Sequence, residues 1–258
     1  MKSHERHSPA GEIRAIPLLG LPDIRPGDLL PELILAAASG KNLNFAGGDI
    51  LVLKHKIVSK AEGRIVALDS VRPSRAAMAA ARRNHGDPRV VELAVREARR
   101  VLRNKHVLIT ETHHGFVCAH SGVDVSNVDG GASAVLLPKD PDASAAGIHR
   151  KLKKLTSLHI PVIISDSFGR AWRQGLCDVA IGIAGLDPIH DYRGKSDDYG
   201  YKLRATEHAV ADELAAMAGL VCGKNARVPA CIIRGYAYER GAGSARQLVR
   251  PAGKDLFR

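Results

Sequence analysis

Residues 161–188 read PVIISDSFGRAWRQGLCDVAIGIAGLDP. The opening PVIIS is short, apolar and rich in β-branched side chains, as a buried strand requires. It runs into DSFGR, which sets Asp166 and Ser167 at the strand's exit. Carboxylates at strand exits are well placed to hold a metal or phosphate at a sheet edge, although a turn also ends in Asp for local hydrogen bonding. Ahead of this stretch, IHRKLKKLTS spaces Ile148, Leu152 and Leu155 as one helix face, with Arg150, Lys151, Lys153 and Lys154 as a solvated basic face. Behind it, EHAVADELAAMAGLV, following Thr206, predicts an amphipathic helix closed by Gly223, and PACIIRG a last strand. Helices alternating with strands predict an α/β protein.

The amino-terminal half fits the same class. Residues 1–14 read as a loose polar leader, and IPLLGLPDIRPGDLL as a loop shaped by Gly20, Pro22, Pro26 and Gly27. PELILAAAS predicts a short helix, and DILVLKHKIVS, after Gly47-Gly48, a strand. Asp87-Pro88 is a helix start, with Val91, Ala94, Val95, Ala98, Val101 and Leu102 on one helical face. KHVLIT and GFVCAH are strand candidates flanking ETHHG, and SGVDVSNVDGGAS, polar and glycine-rich, predicts an active loop or long turn. The rest, residues 15–258, is one domain or two closely packed halves.

The 258 residues carry 38 Lys plus Arg against 27 Asp plus Glu, a net charge of +11. A polyanionic partner fits that balance: nucleotide, phosphodiester coenzyme, acidic amino acid or nucleic acid. Aromatics make up only 4%, so no stacking platform for single-stranded nucleic acid is evident. Cys118, Cys177, Cys222 and Cys231 form no CxxC pair, which predicts reduced thiols rather than a zinc site or disulfide framework. No signal peptide and no apolar run of about 18 residues is present, so a cytoplasmic protein is expected.

Three polar loops have complementary chemistry. KHKIVSKAEGR offers Lys54, Lys56 and Lys60 for phosphate charge; HSGVDVSNVDGG and SDSFGRAWRQG offer Asp124, Asp129, Asp166 and Ser167, the oxygen donors that hard cations prefer. Basic and acidic loops together suit phosphoryl transfer, against an alternative in which the aspartates cap helices and turns. Neither GxxxxGK[ST] nor GxGxxG is present, so no P-loop or dinucleotide fingerprint applies. His113 and His114 are read as solvent or packing residues, and Trp172 either as a ring platform beside Arg173 or as a core anchor.

LGLPDIRPGD, IVSKAEGR, HGFVC with SGVDVSN, LPKDPDASA, the residues 164–188 string, DYRGKSDDYG and VPACIIRG together resemble the coenzyme F420-0:L-glutamate ligase family, in the family's order and over roughly residues 15 to 236. The resemblance implies a family-specific α/β fold with mixed sheets, neither P-loop nor Rossmann, in a stand-alone homodimeric ligase. It implies GTP as co-substrate with Mg²⁺ or Mn²⁺, a monovalent cation such as K⁺, and the partners L-glutamate and coenzyme F420-0. The terminal lactyl carboxylate would be phosphorylated and the glutamate amine would displace phosphate; later rounds add γ-linked glutamate. Residue by residue, it places Leu21, Pro22, Asp23, Ile24, Lys60 and Asn127 on the nucleotide and Asp124, Asp166 and Ser167 on the metal. His55 stands where a small hydroxyl residue commonly contacts the nucleotide, and Lys224 stands near a metal-ligand position but, as an ammonium, would contact phosphate. No general base is identified. An amide ligase with another amino acid or acceptor is the second reading, and a polyanion-binding module the third.

Overall fold

In the computed structural model, which describes residues 11–255, the apolar run 50–53 lies fully buried in the middle of a five-stranded sheet. The elements in chain order are β1 (Arg14–Pro17), α1 (Leu30–Ser39), β2 (Ile50–Lys54), α2 (His55–Ala61), β3 (Ile65–Ala67), α3 (Arg75–Asn84), α4 (Pro88–Arg96) and β4 (Ala98–Lys105). There follow β5 (Val107–Thr112), β6 (Val117–Ala119), β7 (Ser133–Val135), α5 (Pro141–Thr156), β8 (Val162–Arg170) and β9 (Arg173–Ala184). The last are β10 (His190–Asp191), β11 (Glu207–His208), α6 (Val210–Cys222) and β12 (Ala230–Arg234). The first ten residues of the expected leader lie outside the described residues.

The main sheet runs β1-β12-β2-β8-β9; β2 and β8 are parallel and the other neighbours antiparallel. Strands buried on both sides carry apolar runs, as ILVL and VII do. α5 packs on β8 and β9, and α6 on β9, β12 and β1. The resulting core holds Ile34, Ile50, Leu53, Leu152, Ile163, Ile164 and Ile181, each contributing about 1.5–3 kcal/mol by leaving water. A second hydrophobic cluster, including Val71, Ala80, Val91, Ala94, Leu108 and Leu136, lies under α3, α4 and the three-stranded sheet β4-β5-β6. The expected α/β class with mixed sheets is what the chain adopts.

Four element boundaries differ from expectation. The helix after Asp87 ends at Arg96, and Ala98, Val101 and Leu102 belong to β4 instead, because pairing with β5 satisfies their backbone. Residues 49–59 are not one strand: β2 stops at Lys54 and α2 begins at His55. α5 starts before IHRKLKKLTS, at Pro141, where the Asp140 carboxylate accepts from the Ala143 amide at 3.0 Å and caps the first turn. α6 starts at Val210 because Glu207 and His208 pair with β10.

The basic face of α5 is exposed, with Lys151 paired to Glu32 at 2.8 Å. His113 is exposed, while His114 stacks on Phe116 and reaches the carbonyls of Pro138 and Lys139. Trp172 is not a core anchor: 78% of it is exposed, at the turn between β8 and β9. All four cysteines are free thiols. Among the described residues no helix is long and apolar enough to cross a membrane.

Candidate active site

The topology delivers several chain segments to one edge of the main sheet. β2 and β8 are parallel with Lys54 in register with Ser165, so His55, where β2 ends, stands beside Asp166, which with Ser167 lies inside β8 rather than at its exit because both pair on with β9. β12 runs the other way, so the residues before it arrive at the same edge, where the Lys54 amide donates to the Pro229 carbonyl. β1 is antiparallel to β12, which brings residues 21–25, just beyond it, to that edge as well. Carboxyl ends of parallel strands are where open α/β sheets place ligands. Here they border a cleft of about 1410 Å³.

Every site residue expected from the sequence lines this cleft. Leu21, Pro22, Asp23 and Ile24 form one wall, His55 and Lys60 come from α2, Asp124 and Asn127 from the glycine-rich loop, Asp166 and Ser167 from β8, and Lys224 from the turn after α6. Asp129, Lys54 and Lys56 are there too. Trp172, Arg173, His113 and His114 are not part of its lining.

α2 is only seven residues long, too short to persist alone, and is held by what it touches. Lys56 Nζ sits 2.8 Å from Asp124 Oδ2 and donates to the Ser126 carbonyl and hydroxyl at 2.8 and 2.7 Å. Lys60 Nζ donates to the Asn127 carbonyl at 3.2 Å. Asn127 has φ +57°, a left-handed conformation that Asn tolerates, and this curl aims its carbonyl at α2. The Ser126 amide donates to Asp124 Oδ1 at 2.7 Å. Burial opposes ionisation of Asp124, but Lys56 and this amide outweigh it and hold the carboxyl below its ordinary value. The turn-capping and site-lining readings of this loop are therefore both realised in the same residues.

Asp178, which the sequence reading did not single out, organises the floor. It lies opposite Ser167 in the β8–β9 register, is 8% exposed, pairs with Lys54 Nζ, and accepts from Ser167 Oγ at 2.6 Å. Gly219 makes room for it: a Cβ there would stand 2.7 Å from Asp178 Oδ2. Arg25, Asn225 and Arg227 also line the cleft and were not anticipated. Hairpin register would have revealed Asp178; nothing local marks the other three.

His55 is 2% exposed, at the first position of α2. Its Nδ1 lies 3.3 Å from Ser59 Oγ one turn on, and its Nε2 lies 3.4 Å from Asp166 Oδ1 without a hydrogen bond. Burial pushes the imidazole below its ordinary value despite Asp166, so the ring is neutral near pH 7. Burial, and then the Asp166 charge, push the neighbouring Cys118 thiol up to about 12, so it stays protonated.

Among the described residues no three His, Cys, Asp or Glu side chains converge as a ready-made metal cage. The donors present nevertheless suit a divalent cation that takes its remaining ligands from phosphate and water. Asp124, Asp166 and Ser167 supply hard oxygens in one cleft, and a buried imidazole nitrogen beside Asp166 has no partner. Ammonium groups of Lys54, Lys56, Lys60 and Lys224 in the same lining complement phosphate charge.

A profile of the F420-0:Gamma-glutamyl ligase family matches residues 19–235. The chain is 45% identical over 250 residues to a protein of Methanothermobacter thermautotrophicus called coenzyme F420:L-glutamate ligase, covering 95% of this chain and 99% of that one. Proteins of the same name from Methanocaldococcus jannaschii and Methanopyrus kandleri are 44% and 42% identical, covering 82% and 91% of this chain and 85% and 93% of theirs. The ordered motifs, the mixed sheet and these matches agree: the chain belongs to the F420-0:gamma-glutamyl ligase family.

Proposed function

We propose that this protein joins L-glutamate to coenzyme F420-0 in an amide bond, at the expense of GTP, in the cleft at the edge of the main sheet. The observation that carries this reading is the meeting, in one cleft, of four ammonium groups, Lys54, Lys56, Lys60 and Lys224, with the carboxylates Asp124 and Asp166. Neutral binding pockets have no use for that arrangement, whereas a triphosphate and an anionic acceptor do.

In this reading the wall 21–24 receives the nucleoside, and Lys60, Asn127 and Lys224 receive its phosphates. The acceptor's terminal carboxylate oxygen attacks the γ-phosphorus, the bond to the β-phosphate oxygen breaks, and GDP leaves. The acyl phosphate then has a leaving group that a carboxylate lacks. The glutamate nitrogen attacks the acyl carbon, and phosphate departs with one proton of the amine. Asp124, Asp166 and Ser167 would hold Mg²⁺ or Mn²⁺, which shields the phosphate oxygens from the incoming carboxylate. The lysines would neutralise phosphate charge from the same lining, and Asp178 keeps Lys54 and Ser167 in place. Further γ-linked glutamates would be added by the same chemistry.

The test is mass spectrometry of the glutamate-free coenzyme incubated with the protein, Mg²⁺ or Mn²⁺, a nucleotide panel and an amino-acid panel, with Asp166→Asn alongside. Glutamate-sized mass gains that require GTP and vanish in the variant are expected. Gains with another amino acid would replace glutamate as the amine; no gain under any combination would defeat the reading.

A further inference from the structure

One polar atom in the cleft is left over by everything described so far. His55 Nε2 is buried and without a hydrogen-bond partner, on a ring that is 2% exposed. Burying such a nitrogen is costly unless something meets it. Its ring is fixed from behind, since Nδ1 meets Ser59 Oγ at 3.3 Å and Ser59 is itself fully buried. With Nδ1 donating to that hydroxyl, Nε2 carries a lone pair on the side of Asp166, at the buried margin of the cleft.

Its nearest acidic neighbour is Asp166 Oδ1, at 3.4 Å. An N–H donating to a carboxylate would close to about 2.7–2.9 Å. A lone pair facing a carboxylate oxygen is repulsive unless a cation lies between them. Two donors bound at about 2.1 Å to a common ion stand about 3.0 Å apart in an octahedron and about 3.4 Å apart in a tetrahedron. The observed separation exceeds a charged hydrogen bond and lies within about half an ångström of the octahedral spacing that Mg²⁺ and Mn²⁺ take, so a small approach of ring and carboxylate seats both on one ion.

We propose that His55 Nε2 is a direct ligand of the divalent cation of this site, sharing it with Asp166 Oδ1. This rests on the metal-dependent ligase reading and adds to it a nitrogen donor that the oxygen set lacks. The consequence is selectivity. First-row divalent ions, Mn²⁺ the weakest of them, bind an imidazole nitrogen more tightly than Mg²⁺ does, so His55 biases the site toward Mn²⁺ over Mg²⁺.

The test uses the full chain loaded with Mn²⁺ in the presence of GDP, read by electron spin echo modulation. Nitrogen modulation from a bound imidazole is expected, changing its pattern when the protein is labelled with ¹⁵N-histidine and disappearing in His55→Phe, which keeps the ring's bulk. His55→Gln provides a second variant if the first folds poorly. In both, the Mn²⁺ dissociation constant should rise at least about ten-fold, while Mg²⁺ affinity measured by competition changes less than about three-fold. Mn²⁺ that binds, is lost in Asp166→Asn, and shows no histidine nitrogen would overturn this inference and leave the metal-dependent reading standing. Histidine modulation that persists in both His55 variants would also overturn it. Failure of the wild-type chain to bind Mn²⁺ with GDP would overturn both.

Discussion

Asp178 and Lys54 make the floor of the cleft a buried ion pair, and the cost of breaking it can be worked out. Removing one partner of a buried pair costs about 3–5 kcal/mol, because the other charge is left without compensation. Lys54 keeps 20% of its side chain exposed against 7% for Asp178, so water recovers part of the ammonium's solvation and the expected loss in Asp178→Asn falls to about 2–3 kcal/mol. Lys54→Met leaves the carboxylate with its Ser167 hydrogen bond and should cost about the same. The double variant removes both charges and should cost only about 2 kcal/mol, giving a coupling energy of about 3 kcal/mol. Urea unfolding at pH 7.5, followed by circular dichroism on all four proteins, measures this cycle. Losses in the double variant that equal the sum of the singles within about 0.5 kcal/mol would refute the pair as a coupled element.

Two further outcomes follow from groups away from the cleft. Asp142 accepts from the Ile183 amide at 2.9 Å, the Ala245 amide at 2.9 Å and Ser244 Oγ at 2.6 Å, pinning β9 and the carboxyl-terminal segment to α5; Asp142→Ala should cost about 2–4 kcal/mol in urea unfolding, since two amides lose a charged acceptor. Burial holds the His120 imidazole below its ordinary value, so the unfolded chain takes up its proton first. The stability this group contributes is therefore intact above about pH 6.5 and declines as pH falls below it, and the fall in melting temperature between pH 7 and 5 should be shallower in His120→Gln.

Much of this organisation was legible because it was local. PVII and PACII are unbroken apolar runs, as strands covered on both sides must be, and both lie in the main sheet. The KHKIVSKAEGR, SGVDVSN and SDSFGR loops were recognisable by chemistry, and they line one cleft. What was not legible depended on partners distant in sequence. The run after Lys54 carries the β-branched pair Ile57-Val58, and burial of that pair in the core together with contacts from Lys56 and Lys60 to residues 126 and 127 holds it as a helix. Val101 and Leu102 fit a helical and an alternating period equally, and pairing with β5 decided between them. Asp178 acquires its role through its cross-strand partner Ser167, and only the register of the β8–β9 hairpin discloses that pairing.

The central claim is that amide formation here passes through a phosphorylated carboxylate. Coenzyme F420-0 labelled with ¹⁸O in its terminal carboxylate, incubated with the protein, GTP, Mn²⁺ and L-glutamate, tests it in one mass-spectrometric reading of both products. The account predicts a glutamylated coenzyme that has lost one ¹⁸O and inorganic phosphate that has gained it. Glutamylated product with unlabelled phosphate would contradict the account.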